Sequence, residues 1–136
     1  MFKIIAIDYG LKRIGIAISD ESQTLAFGLN TISNLEIISF LREIIEKENV
    51  NILVIGKPLQ KNNSPSEIES SIILFINKLN INFPQIIIKR YDERFTSLIA
   101  KKTIIEGGIK KMKRRNKDLV DKISATIILQ SYLENK

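Results

Sequence analysis

The chain has 136 residues, a length that allows one domain with a sizeable core but not two large lobes around a cleft. It carries a formal net charge of +6, which favours a polyanionic partner such as nucleic acid. Cysteine and histidine are both absent, so disulfides, thiolate catalysis, cysteine-ligated zinc and a histidine base are excluded, and any chemistry must use carboxylates, hydroxyls, lysine or a hard cation.

No apolar run approaches the roughly 18 to 20 residues that a membrane span needs, and MFKIIAID reads as charge followed by a strand, not as a signal peptide. We therefore expect a cytoplasmic protein that has no membrane partner.

The first half of the chain predicts strands at 2–8 and 14–19, joined by YGLKR, and a third strand at Thr24–Ile32. Asn34 is the predicted N-cap of a helix that ends near Glu48. The apolar positions of that helix keep helical spacing: Leu35, Ile38, Leu41, Ile44 and Ile45. A buried strand is expected at 51–56.

The second half begins with the loop GKPLQKNNSPSE. The end of this loop predicts a capped helix over 65–79, with Ser64 as N-cap and Pro65 in the first helical position. Glu67 in the third position is expected to accept a hydrogen bond from the backbone N–H of Ser64. A strand at 85–91 follows, then a helix from Thr96 to the Gly107–Gly108 stop. The last predicted helix spans 117–134.

This order predicts an α/β fold in a single domain, 1–136. Consecutive strands pair as antiparallel hairpins, whereas strands separated by helices pair in parallel. We therefore expect a mixed five-stranded sheet, with three antiparallel N-terminal strands followed by parallel strands, and with helices on both faces. Ligands of such sheets bind beyond the carboxyl ends of the strands.

Asp8 is the first candidate for a site residue, because it ends an apolar strand where an unpaired buried charge would be costly. Strand alternation places it with Ile4 and Ala6. Gly15 on the next strand is expected to leave room for substrate beside it, as is Gly10. The alternative is that Asp8 caps a turn in which Gly10 supplies a positive φ angle.

Further carboxylates follow from distant segments. Asp92 and Glu93 end the strand at 85–91, where a helix dipole would also favour them. On the last helix Asp121 is the first of four residues at spacings i, i+4, i+7 and i+11 that are expected to face the sheet: Asp121, Ala125, Ile128 and Tyr132. Asp118 lies on nearly the same side of this helix. Carboxylates without histidine or cysteine suit Mg²⁺ or Mn²⁺, and two such ions can assist displacement at phosphorus.

Four segments together resemble the YqgF family: IAIDYGLKRIGIAISD, ILVIGKPL, YDERFTS and DLVDKISATIILQSYL. This bacterial family is described as Holliday junction resolvases and as nucleases that mature the 5′ end of pre-16S ribosomal RNA. The resemblance covers nearly the whole chain and implies an RNase H-like fold.

The resemblance also implies site residues. It gives Asp8, Glu93 and Asp121 as the catalytic, metal-binding set, to which Asp118 or Asp92 is a further candidate ligand. It gives Lys12, Arg13 and Arg94 as basic residues that bind the substrate phosphates. Three positions depart from the family: the loop after Pro58 lacks a frequent glycine, Lys57 stands at a commonly apolar position, and Thr126 replaces a frequent alanine.

A basic run, KKMKRRNK at 110–117, directly precedes the helix of Asp121 and is predicted to bind the phosphate backbone. A solvated loop is the plainer reading of such a run. The substrate-binding candidates in this run are Lys110, Lys111, Lys113, Arg114 and Arg115.

The sequence thus favours a metal-dependent nuclease that matures pre-16S RNA, acting as a monomer or weak homodimer with a ribosomal particle as a further partner. Cleavage of four-way DNA junctions is the alternative, and it requires a dimer. A nucleic-acid-binding module without catalysis is a third reading. DYGLKRIGIA is also similar to the phosphate turn of actin-type and sugar-kinase ATPases, but those enzymes need two large lobes.

Overall fold

The computed structural model describes residues 1–58, 67–93 and 117–136; the side chains of 67 and 117–120 are outside that description. Its elements, in chain order, are β1 Lys3–Asp8, β2 Arg13–Ser19, β3 Ala26–Ser33, α1 Ile37–Lys47, β4 Val50–Lys57, α2 Glu67–Asn82, β5 Ile87–Asp92 and α3 Lys117–Asn135.

The five strands form one sheet in the order β3-β2-β1-β4-β5. β1 pairs antiparallel with β2, and β2 antiparallel with β3, while β4 lies parallel to both β1 and β5. The predicted mixed sheet is therefore confirmed. Its parallel strands β1, β4 and β5 are adjacent, so their carboxyl ends meet at one edge of the molecule.

Strand alternation divides the core into two layers, one on each face of the sheet. Ile5, Ile7, Leu53 and Ile55 point to the face that α1 and α2 cover. The opposite face is covered by α3, where the side chains that pack together are Ile4, Ala6, Ala17, Val54, Tyr91, Ala125, Ile128, Leu129 and Leu133. Helices thus lie on both faces, as the sequence predicts, and Ala125 and Ile128 belong to the buried side of the last helix.

Asn34 is not the N-cap of α1, and that prediction is wrong. The helix begins at Ile37 after Glu36, which makes no side-chain capping bond. The Asn34 amide instead donates to the Gly10 carbonyl oxygen at 2.9 Å, and its backbone N–H donates to the Lys12 carbonyl at 3.0 Å. Leu35, predicted to lie on the inner stripe of the helix, precedes it and is 95% exposed.

The other boundaries differ by a few residues. β3 begins two residues after the predicted Thr24 and ends one residue after the predicted Ile32, and β5 begins at Ile87 instead of 85. α2 continues to Asn82 instead of 79, and Phe83 directly after it is buried, with the Arg42 guanidinium 5.3 Å from its ring centre. The predicted caps Ser64, Pro65 and Thr96 and the Gly107–Gly108 stop lie outside the described residues.

An ion pair that the sequence analysis did not anticipate ties α2 to the sheet. Arg90 on β5 donates to the Glu69 carboxylate at 2.7 Å and to the carbonyl oxygens of Ile55 and Gly56 at 3.3 and 3.2 Å. These carbonyls lie at the carboxyl end of β4, so the pair fixes the start of α2 beside the edge where the candidate site lies. Over the described ranges, no helix is both long and apolar enough to span a membrane.

Candidate active site

Asp8 lies at the carboxyl end of β1, on the α3 side of the sheet, directly opposite Gly15 of β2. Burial, together with the negative charges of Glu93 and Asp121, raises the pKa of its carboxyl group from 3.8 to about 7. A carboxyl group is disfavoured in its charged form at this position. Glu93 and Asp121 therefore lie within electrostatic reach of Asp8, although the three residues come from the end of β5, from α3 and from β1.

Glu93 directly follows β5, which brings it beside the end of β4. The Glu93 carboxyl carbon lies 3.8 Å from the point that a Cβ on Gly56 would occupy, and the Ile128 methyl lies 2.8 Å from the same point. Burial raises the pKa of Glu93, with a contribution from the charge of Asp92. A side chain at position 56 would thus force the Ile128 side chain to move, and it would stand in contact with the Glu93 carboxylate.

Asp121 projects from the first part of α3 and accepts a hydrogen bond from Arg13 Nε at 3.1 Å. Both partners are partly exposed, with 40% of the Arg13 side chain and 26% of the Asp121 side chain accessible to solvent. The pair joins two residues that the sequence analysis assigned to different tasks. Arg13, predicted to bind phosphate, here neutralises a carboxylate that was predicted to bind metal.

The two glycines near Asp8 do not leave room for substrate, and that prediction is wrong. A Cβ on Gly15 would overlap the backbone of Asp121, with its carbonyl carbon only 2.5 Å away. Gly15 therefore allows α3 to approach the sheet and sets the position of Asp121. A Cβ on Gly10 would overlap the Arg13 carbonyl group, so this glycine closes the β1–β2 turn. The alternative reading fails as well, because within the described ranges no glycine has a positive φ angle.

Oxygen ligands from Asp8, Glu93 and Asp121 have the chemistry that Mg²⁺ or Mn²⁺ requires. Among the side chains that the structure describes, however, no three acidic groups are arranged to hold one ion in common. The pairing of Asp121 with Arg13 is one physical reason, since it directs this carboxylate to a cation that the protein itself supplies. The donor set fits a hard cation in kind, with Arg13 as its competitor.

Of the remaining predicted site residues, the structure describes the side chains of Asp92 and Lys12. Asp92 pairs in register with Lys57, and strand alternation directs it away from the α3 side where Asp8 lies. Lys12 is exposed in the β1–β2 turn. The side chain of Asp118 and all of Arg94, Lys110, Lys111, Lys113, Arg114 and Arg115 lie outside the described residues, so their roles stay predictions.

Sequence reasoning missed Gly56, Asn34 and the Arg90–Glu69 pair. A glycine at the end of an otherwise apolar strand, VNILVIGK, was an available signal for a close approach of another element. Thr126 is a packing residue: its hydroxyl donates to the Lys122 carbonyl at 2.6 Å and lies 3.2 Å from the point where a Cβ on Gly28 would stand.

Comparison with known proteins identifies the family of this chain. A family model described as RuvX, Holliday junction resolvase, matches residues 2–135. The chain belongs to this family. Its resemblance to the YqgF family is thereby confirmed, because the match spans all four of the motifs that carried it.

Two relatives of known sequence align over the full length of this chain. A Flavobacterium psychrophilum protein is 52% identical over 136 residues, which are 100% of this chain and 99% of that protein. A Bacteroides thetaiotaomicron protein is 49% identical over 100% of this chain and 99% of its own length. Both relatives are named for pre-16S rRNA nuclease activity.

Solved structures establish the fold class. Thermus thermophilus RuvC in complex with a Holliday junction substrate has a TM-score of 0.63 at 11% identity, covering 99% of this chain and 96% of RuvC. A second structure of Thermus thermophilus RuvC has a TM-score of 0.61 at 9% identity, covering 98% of this chain and 96% of RuvC. The RuvX-family chain therefore has the RNase H-like fold of these resolvases, as the resemblance implied.

Proposed function

We propose that this chain is a divalent-metal-dependent nuclease that hydrolyses phosphodiester bonds in structured nucleic acid and matures the 5′ end of pre-16S ribosomal RNA. Membership in the RuvX family and two full-length relatives named for this activity support the proposal. Nucleic acid is the substrate class, which the net charge of +6 favours.

The observation that carries the proposal is the electrostatic state of Asp8. Its pKa is raised to about 7 by burial and by the charges of Glu93 and Asp121, so the site accumulates negative charge that the fold does not favour. A bound cation would reverse that effect and hold Asp8 in its ionised form at neutral pH. Carboxylate charges placed this close together destabilise the folded protein unless a bound cation neutralises them.

We assign Asp8 and Glu93 as the residues that would hold the metal, with Asp121 joining them on release from Arg13. When bound, one or two Mg²⁺ or Mn²⁺ ions would activate a water molecule and stabilise the leaving oxygen of an in-line displacement. The chain itself supplies the other functions. Asp8 is positioned by the end of β1, and Asp121 by the approach of α3 to Gly15.

The basic residues would hold the phosphates. Lys12 is exposed in the β1–β2 turn, and Arg13 can exchange the Asp121 carboxylate for a phosphate group once that carboxylate binds metal. Arg94 and the run Lys110, Lys111, Lys113, Arg114 and Arg115 are proposed to contact the phosphate backbone on either side of the cleaved bond.

Cleavage of four-way DNA junctions is the second candidate, because the matching family model is itself described as a Holliday junction resolvase. That function requires two sites placed symmetrically on the junction and therefore a dimer. We propose that residues 1–136 act as a single domain in the cytoplasm, as a monomer or weak homodimer that works on a ribosomal particle. Sedimentation of a strict monomer on a four-way junction would contradict the junction activity.

The decisive experiment offers a 5′-extended 16S precursor and a four-way DNA junction side by side, with Mg²⁺ or Mn²⁺. We expect metal-dependent cleavage of the precursor that EDTA abolishes. The Asp8→Asn variant keeps the shape of the side chain and removes the charge, so it should lose at least about a hundredfold in rate. Cleavage of either substrate by Asp8→Asn at the wild-type rate would show that the proposed mechanism is wrong.

A further inference from the structure

The turn between β1 and β2 places an apolar side chain beside the candidate site. It joins the strand that ends in Asp8 to the strand that begins with Arg13, the partner of Asp121. At its tip Leu11 is 65% exposed, and the neighbouring Lys12 is exposed as well. The turn therefore presents a leucine and a cation at the sheet edge where a substrate would bind.

Three contacts, two from Asn34 and one between Tyr9 and Phe75, hold this turn in place. Asn34 bonds to the carbonyl oxygens of Gly10 and Lys12, which are the residues on either side of Leu11. The Tyr9 ring packs against Phe75 of α2 with their centroids 4.9 Å apart. Leu11 is thus presented by a backbone with fixed hydrogen-bond partners, so its position costs little further ordering when something binds to it.

A single exposed leucine is ordinary on a protein surface and needs no explanation by itself. Here the leucine lies between Asp8 and Lys12 in the chain, and two hydrogen bonds from a distant residue fix its turn. The charge of Lys12 and Arg13 complements a phosphate backbone, and a nucleotide whose phosphate they hold would bring its sugar and base near Leu11. The chemistry fits a nucleic-acid strand better than a protein surface.

We propose that Leu11 is a specificity-determining residue that packs against the base or sugar of an unpaired nucleotide, and that Asn34 is the positioning residue of its turn. This inference rests on the proposed nuclease function and adds a substrate preference to it. An apolar side chain can lie against the face of an unstacked base, whereas in a continuous duplex that face is covered by its neighbours. Substrates with an unpaired nucleotide at the cleaved position should therefore be preferred.

The test uses a duplex and the same duplex with one unpaired nucleotide, each prepared as RNA and as DNA. The ratio of kcat/KM between the two forms is the first readout. Quenching of a 2-aminopurine base at the unpaired position is the second, and it reports contact without cleavage. We expect wild type to prefer the unpaired form, and Leu11→Ser to lower the ratio by about tenfold, as the loss of a base-packing contact does.

Asn34→Asp keeps the size of the side chain and removes the amide donor. We expect it to lower the same ratio by about threefold and to weaken the 2-aminopurine signal. A purely structural role for Asn34 would lower thermal stability and leave the ratio unchanged. Leu25→Ser is the matched control, because Leu25 is 53% exposed in the β2–β3 turn at the opposite end of the sheet. The Leu25→Ser variant should have the same kcat/KM ratio between the two substrate forms as wild type.

The outcomes separate the two proposals. If wild type neither binds nor cleaves any of the four substrates, the proposed function fails. If it cleaves them and Leu11→Ser leaves the ratio unchanged, or wild type shows no preference for the unpaired form, this inference fails alone. If Leu11→Ser instead weakens only the association with a ribosomal particle, the turn contacts protein and the inference is again overturned.

Discussion

Asp8 has a carboxyl group whose charged form the fold disfavours. Its carboxyl group is buried beside two other acidic residues, and its pKa is raised to about 7. Such groups are typical of catalytic and metal-binding sites, where the surrounding structure holds them against their preference. Asp121 and Arg13 show the complementary case, in which a carboxylate has a cationic partner at 3.1 Å.

Asp8 should make the metal-free protein less stable as the pH rises. Between about pH 4 and 7 the folded chain binds the Asp8 proton while the unfolded chain has lost it, so the free energy of unfolding falls across this interval. Glu93, whose pKa is also raised, acts in the same direction. Urea denaturation in EDTA at several pH values measures the slope.

Asp8→Asn is the variant that isolates this effect. It should flatten the slope and stabilise the protein above pH 7 by on the order of 1–3 kcal/mol, because the disfavoured charge is gone. An identical pH dependence in wild type and Asp8→Asn would contradict the assignment of the raised pKa to Asp8.

Arg13 should compete with the metal for Asp121. Arg13→Met keeps much of the apolar stem and removes the charge, so the affinity for Mn²⁺ should rise about two- to fivefold, the range of a partly exposed ion pair. The same variant should raise KM, because a phosphate-binding group is lost. Isothermal titration with Mn²⁺ measures the first effect, with Lys12→Met as the control. Equal Mn²⁺ affinities in Arg13→Met and Lys12→Met would count against this competition.

At the scale of elements, the site depends on how closely α3 approaches the sheet. A Cβ on Gly15 of β2 would overlap the backbone of α3, and a Cβ on Gly56 of β4 would crowd the Ile128 side chain. Ala17 and Ala6 continue the same smooth surface under Ala125. Small residues on the strands are thus what allow a helix that is distant in sequence to carry Asp121 to within electrostatic reach of Asp8.

Gly15→Ala should therefore displace the start of α3. We expect a loss of about 2–3 kcal/mol in the free energy of unfolding, since the clash is with helix backbone that cannot rotate away. Thermal and urea unfolding measure it, and Mn²⁺ affinity should fall with it. Gly28→Ala is the matched control, because a Cβ there meets the Thr126 hydroxyl at 3.2 Å and so costs less. Equal effects of the two variants would contradict the account of Gly15.

At the scale of the whole molecule, the distribution of positive charge decides what can bind. The net charge of +6 is a global property, whereas the run at 110–117 concentrates cationic residues just before α3. Binding to a phosphate backbone releases condensed counterions, so it weakens steeply as salt increases. A net charge of +6 spread evenly over the surface would make the affinity for nucleic acid depend less steeply on salt.

Replacing Lys110, Lys111, Lys113, Arg114 and Arg115 by Gln should lower the slope of log affinity against log salt by about 2 to 4, at roughly 0.7–0.9 for each lost phosphate contact. Fluorescence anisotropy with a labelled RNA measures the slope. The control replaces Lys47 and Lys78, exposed on the helices of the opposite face, and should change it by less than about 1. If both variants change the slope equally for each charge removed, the run is not a specific binding segment.

For the described residues, the sequence by itself determined the order of strands and helices, the mixed sheet and the separation of its two faces, because alternation and helical spacing are local patterns that burial enforces. It also identified Asp8, Glu93 and Asp121 as candidates. Only the tertiary structure decided that Gly15 serves the approach of α3, that Asn34 holds a turn instead of capping a helix, and that Arg13 pairs with Asp121. Each of these joins residues far apart in the chain, and a local pattern carries no information about which distant group will satisfy a side chain.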